Sequence, residues 1–348
     1  MGAVAALGLY SGGLDSILAC RVLAEQGITV RALKFTTPFF DHELLENPSR
    51  YQLQARERYG IEVELIDLSR QYIPMLRAPA HGFGKRFNPC IDCKILMLST
   101  ARGLMEKYGA AFLFTGEVVG QRPMSQRRDT LRAIERDSGC EGILLRPLSA
   151  RFLPPTRPEQ LGLVDRDRLY GFTGRGRKEQ IALAASLGIT EYPAPAGGCL
   201  LTDVTLGARI AGFHADNFLI EYNQLSIDDF TLMHVGRQFR LAGGAWLVLG
   251  RNARENKRLE LLAGPGDALL HVTDRPGPLG ILRRADLLGE ELFRQQVLSE
   301  AASCVIRYAK KIDGLAAPGR IEIRLPEGGI RSIEAEPMED AELQERQI

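Results

Sequence analysis

The sequence predicts an α/β protein with a doubly wound, mostly parallel sheet, followed by a smaller C-terminal α+β domain. First, apolar runs alternate with helical patterns in a β-α-β-α-β order over residues 3–68. Second, the stretch Ser11-Gly12-Gly13-Leu14-Asp15-Ser16 lies between the first apolar run and the first helical pattern. Third, the segments beyond residue 227 become short and β-like, and Gly and Pro interrupt them.

The chain length and composition are those of a globular protein with two domains. The chain has 348 residues, of which 45% are apolar and 25% charged, with a net charge of +1. No apolar run approaches the roughly 20 residues that span a bilayer, and the N-terminus lacks the features of a signal peptide. We therefore expect a cytoplasmic protein without a membrane partner, whose basic surfaces, if any, are local.

The elements of the first domain follow from periodicity and from turn residues. Strands are expected at 3–10, 29–35, 61–68, 110–115 and 143–145, and helices at 17–24, 42–59, 95–108, 124–137 and 178–187. The parallel order requires right-handed crossovers. The first domain is expected to cover residues 1–212, the second 213–333, and an acidic, frayed tail 334–348.

The glycine-rich turn has the composition of an anion-binding loop. Gly12 and Gly13 allow the backbone to approach a ligand, and the Ser11 and Ser16 hydroxyls can donate to phosphate oxygens. Asp15 would repel phosphate unless a cation lay between them, which predicts Mg²⁺. The alternative is an ordinary βα turn that happens to be rich in Ser and Gly.

Two further positions belong to the expected nucleotide site. Phe35 ends the second strand, and the carboxyl ends of adjacent strands in a doubly wound sheet face the ligand crevice, where an adenine can rest. Gly116 follows the strand 110–115 and is the second candidate. A plain strand end is the alternative for Phe35.

Three of the six cysteines form a candidate metal site. Cys90 and Cys93 have metal-ligand spacing at the start of a helix, and Cys199 follows a loop rich in Gly and Pro. Three thiolates leave one coordination position open, and soft thiolates select zinc or an iron–sulfur cluster. In a [4Fe-4S] cluster the fourth iron would be free to bind sulfide. Two alternatives remain: a persulfide on Cys199 that Cys90 or Cys93 resolves, and plain structural thiols.

The other cysteines are assigned no chemistry. Cys20 and Cys304 lie in apolar stretches typical of small buried hydrophobes, and Cys140 has no partner at ligand spacing.

Four motifs together resemble the tRNA thiolation branch of the PP-loop ATP pyrophosphatases, the 2-thiouridine and 4-thiouridine synthases. They are the turn at 11–16, Cys90-x-x-Cys93, Phe114-Thr115-Gly116-Glu117 and Gly197-Gly198-Cys199, and the resemblance covers about residues 1–212. It implies a PP-loop (HUP-like) fold in which Ser11, Gly12, Gly13, Asp15 and Ser16 hold the phosphates of ATP and Mg²⁺. It also implies that Cys90, Cys93 and Cys199 ligate the cluster.

The same resemblance implies a reaction and its partners. Asp15 and Cys199 would be catalytic in an ATP-dependent transfer of sulfur to a uridine of tRNA, with AMP and pyrophosphate as products. A sulfur donor protein or sulfide would supply the sulfur; a homodimer is compatible with the sequence, which does not set the oligomeric state. Residues 248–256 also resemble the RNA-binding NFACT-R domain, which fits an RNA substrate.

Two other functions remain open from the sequence. One is a PP-loop ligase or amidotransferase that adenylates a small molecule. The other is a cluster-bearing RNA-binding sensor with a vestigial nucleotide site, against which the intact Asp15 and both serines argue.

Overall fold

In a computed structural model, residues 4–194 and 199–348 are described, and they form two compact units, 1–202 and 203–348. The first unit is an α/β domain and the second contains an antiparallel sheet, as the sequence predicts. No helix in the described ranges is long and apolar enough to cross a membrane.

The first unit is built on a parallel five-stranded sheet with the order β3-β2-β1-β4-β5. Its strands are β1 Ala5–Leu9, β2 Thr29–Thr36, β3 Glu62–Asp67, β4 Ala110–Thr115 and β5 Leu144–Leu145. Its helices are α1 Leu14–Ala24, α2 Pro48–Tyr59, α3 Ser69–Arg77, α4 Cys90–Gly103, α5 Arg128–Asp137, α6 Arg157–Gln160 and α7 Lys178–Ser186.

The strand order explains where a ligand binds. The chain runs from β1 outward to β2 and β3, then returns to the other side of β1 to form β4 and β5. The carboxyl ends of β1 and β4 therefore flank the switch point of the sheet, and a doubly wound fold opens its binding crevice there. Two buried clusters cover the sheet, one containing Leu18, Phe112 and Phe114 and the other Leu7, Phe35 and Leu98.

Local sequence accounts for the departures from the predicted elements in this unit. The helix expected at 42–59 begins only at Pro48, where Asn47 caps it by accepting from the Arg50 N–H at 3.2 Å. The helix expected at 95–108 begins earlier, at Cys90, so that Cys90 and Cys93 both lie in its first turn.

The second unit contains a six-stranded antiparallel sheet with the order β11-β10-β8-β9-β7-β6. The strands are β6 Arg237–Arg240, β7 Trp246–Leu249, β8 Ala268–Val272, β9 Leu279–Arg283, β10 Gly319–Arg324 and β11 Ile330–Ala335. The helices are α8 Val204–His214, α9 Ile227–Leu232, α10 Ala253–Leu262, α11 Glu291–Arg307 and α12 Asp340–Arg346.

The units divide between Thr202 and Asp203, earlier than the expected boundary after residue 212. The reason is α8, which belongs to the second unit. The Asp203 carboxylate caps this helix, and Phe213 at its end stacks on Phe218 with ring centroids 3.8 Å apart and contacts Trp246.

The expectation of a frayed tail over 334–348 is wrong for the described structure. Residues 340–346 form α12, whose Leu343 is buried in the core of the unit beside Met338. Arg346 forms a salt bridge with Glu300 at 3.1 Å. The acidic composition suggested a solvated tail, but the buried Leu343 side chain and the Arg346 salt bridge are enough to dock the helix.

Candidate functional site

The turn from β1 to α1 has the conformation that close approach to an anion requires. Gly12 has φ +82°, and a Cβ at this position would lie 2.8 Å from the Tyr51 hydroxyl. Gly13 is the N-cap of α1 and offers no side-chain cap, so the first N–H groups of the helix have no capping side chain. Such N–H groups bind phosphates readily.

The two serines of the turn hold it closed. Ser16 Oγ donates to the Gly13 carbonyl at 2.7 Å, Ser11 Oγ lies 3.2 Å from Ser16 Oγ, and the Gly13 N–H donates to Ser11 Oγ at 3.3 Å. Lys34, buried on β2, donates from Nζ to the Ser11 carbonyl at 2.8 Å and to Asp41 at 2.5 Å. The buried Lys34 ammonium thus stabilises the conformation of the turn from β2.

Asp15, in the first turn of α1, is tied to two distant segments. Gln121 Nε2, in the loop after β4, donates to Asp15 Oδ2 at 2.7 Å, and Arg177 Nη2, at the start of α7, lies 3.8 Å from the same oxygen. Gln180 Nε2, one turn into α7, donates to Gln121 Oε1 at 3.3 Å. The other carboxylate oxygen of Asp15, Oδ1, is buried without a hydrogen-bond partner in the described chain. An unpaired carboxylate oxygen is a suitable ligand for Mg²⁺.

Gly116 lies against the same helix turn. A Cβ on Gly116 would meet the Asp15 carbonyl oxygen at 2.4 Å and the Ser16 nitrogen at 2.7 Å. Only glycine therefore lets β4 end this close to the first turn of α1. The structure thus gives Gly116 a packing reason to be glycine, and its contact with a nucleotide stays a prediction.

Phe35 lies in the core on one face of the sheet. It is buried in the cluster that contains Leu68 and Leu98. Its neighbour Lys34 is the β2 residue that reaches the glycine turn. An adenine contact through the Phe35 side chain stays a prediction, since the ring is already packed in this cluster.

Glu117, next to Gly116, carries a buried charge. It accepts from Thr115 Oγ1 at 3.0 Å and from Arg146 Nε at 3.2 Å, and Lys94 Nζ lies 3.6 Å away. Burial by itself raises the pKa of Glu117, but Lys94 and Arg146 outweigh it and the net shift of the pKa is downward. Because Lys94 follows Cys93 directly, this network joins the end of β4 to the cysteine helix.

The three candidate cysteines lie around Tyr72 of α3. Burial raises the pKa of Tyr72 well above its usual range, and the charges of Cys93, Cys199 and Cys90 raise it further. Cys93 shares a hydrogen bond with Tyr72, and burial raises the Cys93 pKa to about 12. Cys90 donates to Asn88 Oδ1 at 3.1 Å. The three thiols are therefore neighbours although 105 residues or more separate Cys199 from the other two.

Arg122, in the loop after β4, acts on Cys199 through its charge. Burial raises the pKa of Cys199, and the positive charge of Arg122 opposes that shift. Arg122 follows Gln121, which holds Asp15, so one loop reaches both candidate sites. Gly197 and Gly198, which precede Cys199 in the motif, lie outside the described residues.

Within the described ranges 4–194 and 199–348, no group of three or more His, Cys, Asp or Glu side chains is arranged to hold a metal ion. The chemistry of the donor set still fits a soft metal or cluster, because the charges of all three thiols act on Tyr72 and thiolates are the ligands that zinc and iron–sulfur clusters take.

Sequence reasoning missed Gln121 and Gln180, and it did not predict the contacts of Lys34 with the Ser11 carbonyl and of Arg177 with Asp15. Each acts through a contact with a residue far along the chain, and amides and cations of these types occur throughout the sequence. Position offers the only signal: Gln121 lies shortly after the fourth strand, and Arg177 at the start of a helix.

The first unit is thus an α/β domain with a glycine turn at the switch point of its parallel sheet, and a unit with an antiparallel sheet follows it in the chain. Residues 2–151 match the family described as thiamine biosynthesis protein (ThiI), and residues 236–346 match the NFACT protein RNA binding domain. The resemblances to PP-loop tRNA thiolation enzymes and to the NFACT-R domain are thereby confirmed.

A curated relative matches part of the chain. It is a probable tRNA sulfurtransferase of Thermococcus kodakarensis (strain ATCC BAA-918 / JCM 12380 / KOD1), 26% identical over 114 residues. The match covers 32% of this chain and 29% of the relative, so the chain spans less than a third of the length of that protein.

Two solved structures were also found to be similar. One is a 4-thiouridine synthetase–RNA complex with bound ATP, with a TM-score of 0.38, 22% identity, and coverage of 53% of this chain and 41% of that one. The other is the U34-tRNA thiolase NcsA from Methanococcus maripaludis with its [4Fe-4S] cluster, with a TM-score of 0.31, 16% identity, and coverage of 62% and 67%.

Proposed function

We propose that this protein is an ATP-dependent tRNA sulfurtransferase. The observation that carries the proposal is the loop 116–127, which binds Asp15 through Gln121 and contains Arg122, whose positive charge acts on the Cys199 thiol. The proposal places the nucleotide turn and the three thiols at one edge of the sheet, as activation by ATP followed by sulfur transfer requires. The matches to the ThiI family and to an RNA-binding domain support tRNA as the substrate.

The first step is adenylation of a uridine carbonyl. The carbonyl oxygen attacks the α-phosphorus of ATP and the bond to pyrophosphate breaks. In this proposal Ser11, Gly12, Gly13 and Ser16 bind the phosphates, while Asp15 holds Mg²⁺, which offsets phosphate charge. Oxygen is a poor leaving group, and adenylation turns it into the oxygen of AMP.

The second step replaces that oxygen with sulfur. A sulfide-level nucleophile attacks the activated carbon and AMP leaves with the oxygen. Cys90, Cys93 and Cys199 would hold a [4Fe-4S] cluster, with zinc as the alternative metal, and such a cluster supplies an open iron on which sulfide can bind. The buried thiols must lose their protons when a metal binds, so loading is favoured by higher pH.

The second unit is proposed to bind the tRNA. Its match to an RNA-binding domain covers residues 236–346, and α10 carries Arg254, Lys257 and Arg258, all exposed. Cationic side chains on one helix suit contact with phosphates. We place the reaction in the cytoplasm, with sulfide or a sulfur donor protein as co-substrate.

The test is a thiolation assay on protein purified without oxygen. The protein is incubated with unmodified tRNA, ATP, Mg²⁺ and sulfide. The nucleosides of the tRNA are then analysed by mass spectrometry, and the amount of AMP formed is measured in the same reaction. One AMP per thiouridine formed supports the proposal. Adenylation of a small molecule without thiouridine would point instead to a PP-loop ligase, and RNA binding without AMP formation to a sensor.

A further inference from the structure

A cavity of about 550 Å³ lies on the first unit, and its lining includes no residue of the glycine turn and no cysteine. It lies between α5, the short edge strand β5 and the extended segment 152–156. Its floor is apolar, formed by Leu131, Leu144 and Leu145, all buried. At its mouth the Phe152 ring is 45% exposed, beside Pro154 and Pro155. An exposed aromatic ring at the mouth of a cavity with an apolar floor is a surface on which a planar group can stack.

A buried arginine in the cavity wall has spare hydrogen-bonding capacity. Arg146 is 2% exposed; its Nε donates to Glu117 and its Nη1 to Glu135. Its third nitrogen, Nη2, is buried and has no hydrogen-bond partner in the described chain. Buried donors are almost always satisfied, so this nitrogen suits an acceptor supplied by a ligand.

The rim of the cavity carries two unpaired cations. Arg128 and Arg132 lie one helical turn apart on α5, and neither has a carboxylate within 4.0 Å among the described residues. Like charges at this spacing repel unless an anion lies between them. Three carboxylates also line the cavity. Arg146 engages Glu135, Thr156 and Arg166 engage Glu159, and Glu141 is left at the exposed rim.

We propose that this cavity binds one unpaired nucleotide of the RNA substrate, outside the nucleotide to be modified. The base stacks on Phe152 and the prolines, a base carbonyl accepts from Arg146 Nη2, and Arg128 and Arg132 contact the flanking phosphates. The inference rests on the proposed function for the identity of the RNA. It adds a subsite that fixes which single-stranded region of the RNA docks on the domain.

The test places a tryptophan reporter at the mouth of the cavity. The F152W variant is titrated with a short oligouridine while fluorescence is recorded. The control is L53W, at an exposed position on α2 beside the opposite edge of the sheet. Both variants also contain the buried Trp246, whose signal is common to both. Oligouridine is expected to quench F152W saturably and to leave L53W unchanged.

Paired arginine variants test the rim. R132Q in the F152W background is expected to weaken oligouridine binding at least fivefold, while R136Q, on the same helix but outside the cavity, leaves it unchanged. If F152W does not fold, R132Q and R136Q in the wild-type background are compared by fluorescence anisotropy with labelled oligouridine.

Three other results would contradict the proposed RNA subsite, and each can be distinguished from the others. Equal affinity for free UMP would make this a mononucleotide site rather than an RNA subsite. Absence of quenching in F152W, in a preparation that binds tRNA and forms thiouridine, would remove the subsite and leave the proposed function standing. Failure of the wild-type protein to bind tRNA or form thiouridine would remove both.

Discussion

Gln121 Nε2 donates to Asp15 Oδ2 at 2.7 Å, and this hydrogen bond ties the loop after β4 to the first turn of α1. It orients one oxygen of Asp15 and leaves the other, Oδ1, buried and unpaired in the described chain. A carboxylate held on one side and open on the other is preorganised for a cation, because little reorientation is needed when the ion arrives.

Asp15→Asn is expected to reduce tRNA-dependent ATP–pyrophosphate exchange by about 100-fold or more, since a neutral amide cannot hold Mg²⁺ between itself and the phosphates. The fold should persist, as judged by the thermal melt. Asp129→Asn, at an exposed carboxylate that pairs with Arg127 outside the turn, is the matched control. Normal exchange in the Asp15 variant would remove the nucleotide-site assignment.

Gln121→Ala tests the positioning of Asp15 separately from its charge. The variant should raise the Mg²⁺ concentration for half-maximal exchange about tenfold, corresponding to the loss of one hydrogen bond to a charged group. The maximal rate at saturating Mg²⁺ should change less. Gln295→Ala, which removes an exposed amide on α11, serves as the control. An unchanged Mg²⁺ dependence would make the contact merely structural.

Gly116→Ala should destabilise the first unit by about 1–3 kcal/mol, because the new methyl would meet the α1 backbone at 2.4 Å and neither partner is a flexible side chain. Gly103→Ala at the end of α4 is the control. It has no atom within 4 Å of the added methyl and should stabilise by about 0.5–1 kcal/mol. Urea denaturation measures both, and equal stabilities would contradict the close approach.

The sheet and the glycine turn could be predicted from the sequence because both depend on local residue patterns. Alternating apolar runs specify the parallel strands, and a turn of Ser and Gly between strand and helix specifies its own conformation. The contact between Gln121 and Asp15 left no such pattern, since it depends on how β4 returns beside β1. Phe35 illustrates the same limit: its place at a strand end was predictable, but the face of the sheet it occupies was not.

The arrangement of the cysteines could be predicted from the sequence only in part. The spacing of Cys90 and Cys93 marks one helical turn, so their proximity was local information. Cys199 was predicted to belong to the same site only because of its Gly-Gly-Cys motif. That it lies near Tyr72 follows from the fold and could not be predicted from the sequence. The unit boundary was missed because α8 begins at an Asp203 cap that resembles any other helix start. Its packing on Trp246 and the hydrogen bonds from Arg209 to the Met233 and Gly236 carbonyls assign it to the second unit.

Cys199→Ala is expected to lose bound metal and thiouridine formation together. Wild-type protein purified without oxygen should contain about four irons and matching sulfide per chain if three cysteines hold a [4Fe-4S] cluster. Cys140→Ala, at a buried thiol outside the cluster of three, should retain the metal. Zinc in place of iron would identify the alternative metal. Full metal content with lost thiolation in the Cys199 variant would make this residue a persulfide carrier.

Glu117→Gln should destabilise the protein by about 1.5–3 kcal/mol at pH 7, because Arg146 and Lys94 lose the buried anion that they share, while Arg146 keeps its contact with Glu135. The folded-state pKa of Glu117 lies below the unfolded value of 4.5. Its contribution is therefore complete above that value and is lost as the pH falls through the folded-state pKa. The stability difference between wild type and variant should shrink accordingly in urea titrations below pH 4.5. A constant difference, or an equal effect of the exposed Glu141→Gln, would contradict this.

Arg254→Gln and Arg258→Gln test the second unit as the RNA-binding part. These residues lie one turn apart on α10, so both can reach the same phosphate backbone. Each variant should weaken tRNA binding and reduce the slope of log affinity against log salt by about 0.7–0.9, the value for one phosphate contact. Lys311→Gln, at an exposed position after α11, is the charge-matched control. An unchanged slope in both arginine variants would mean that another surface of the chain holds the phosphates, because the loss of a true contact must release fewer counterions.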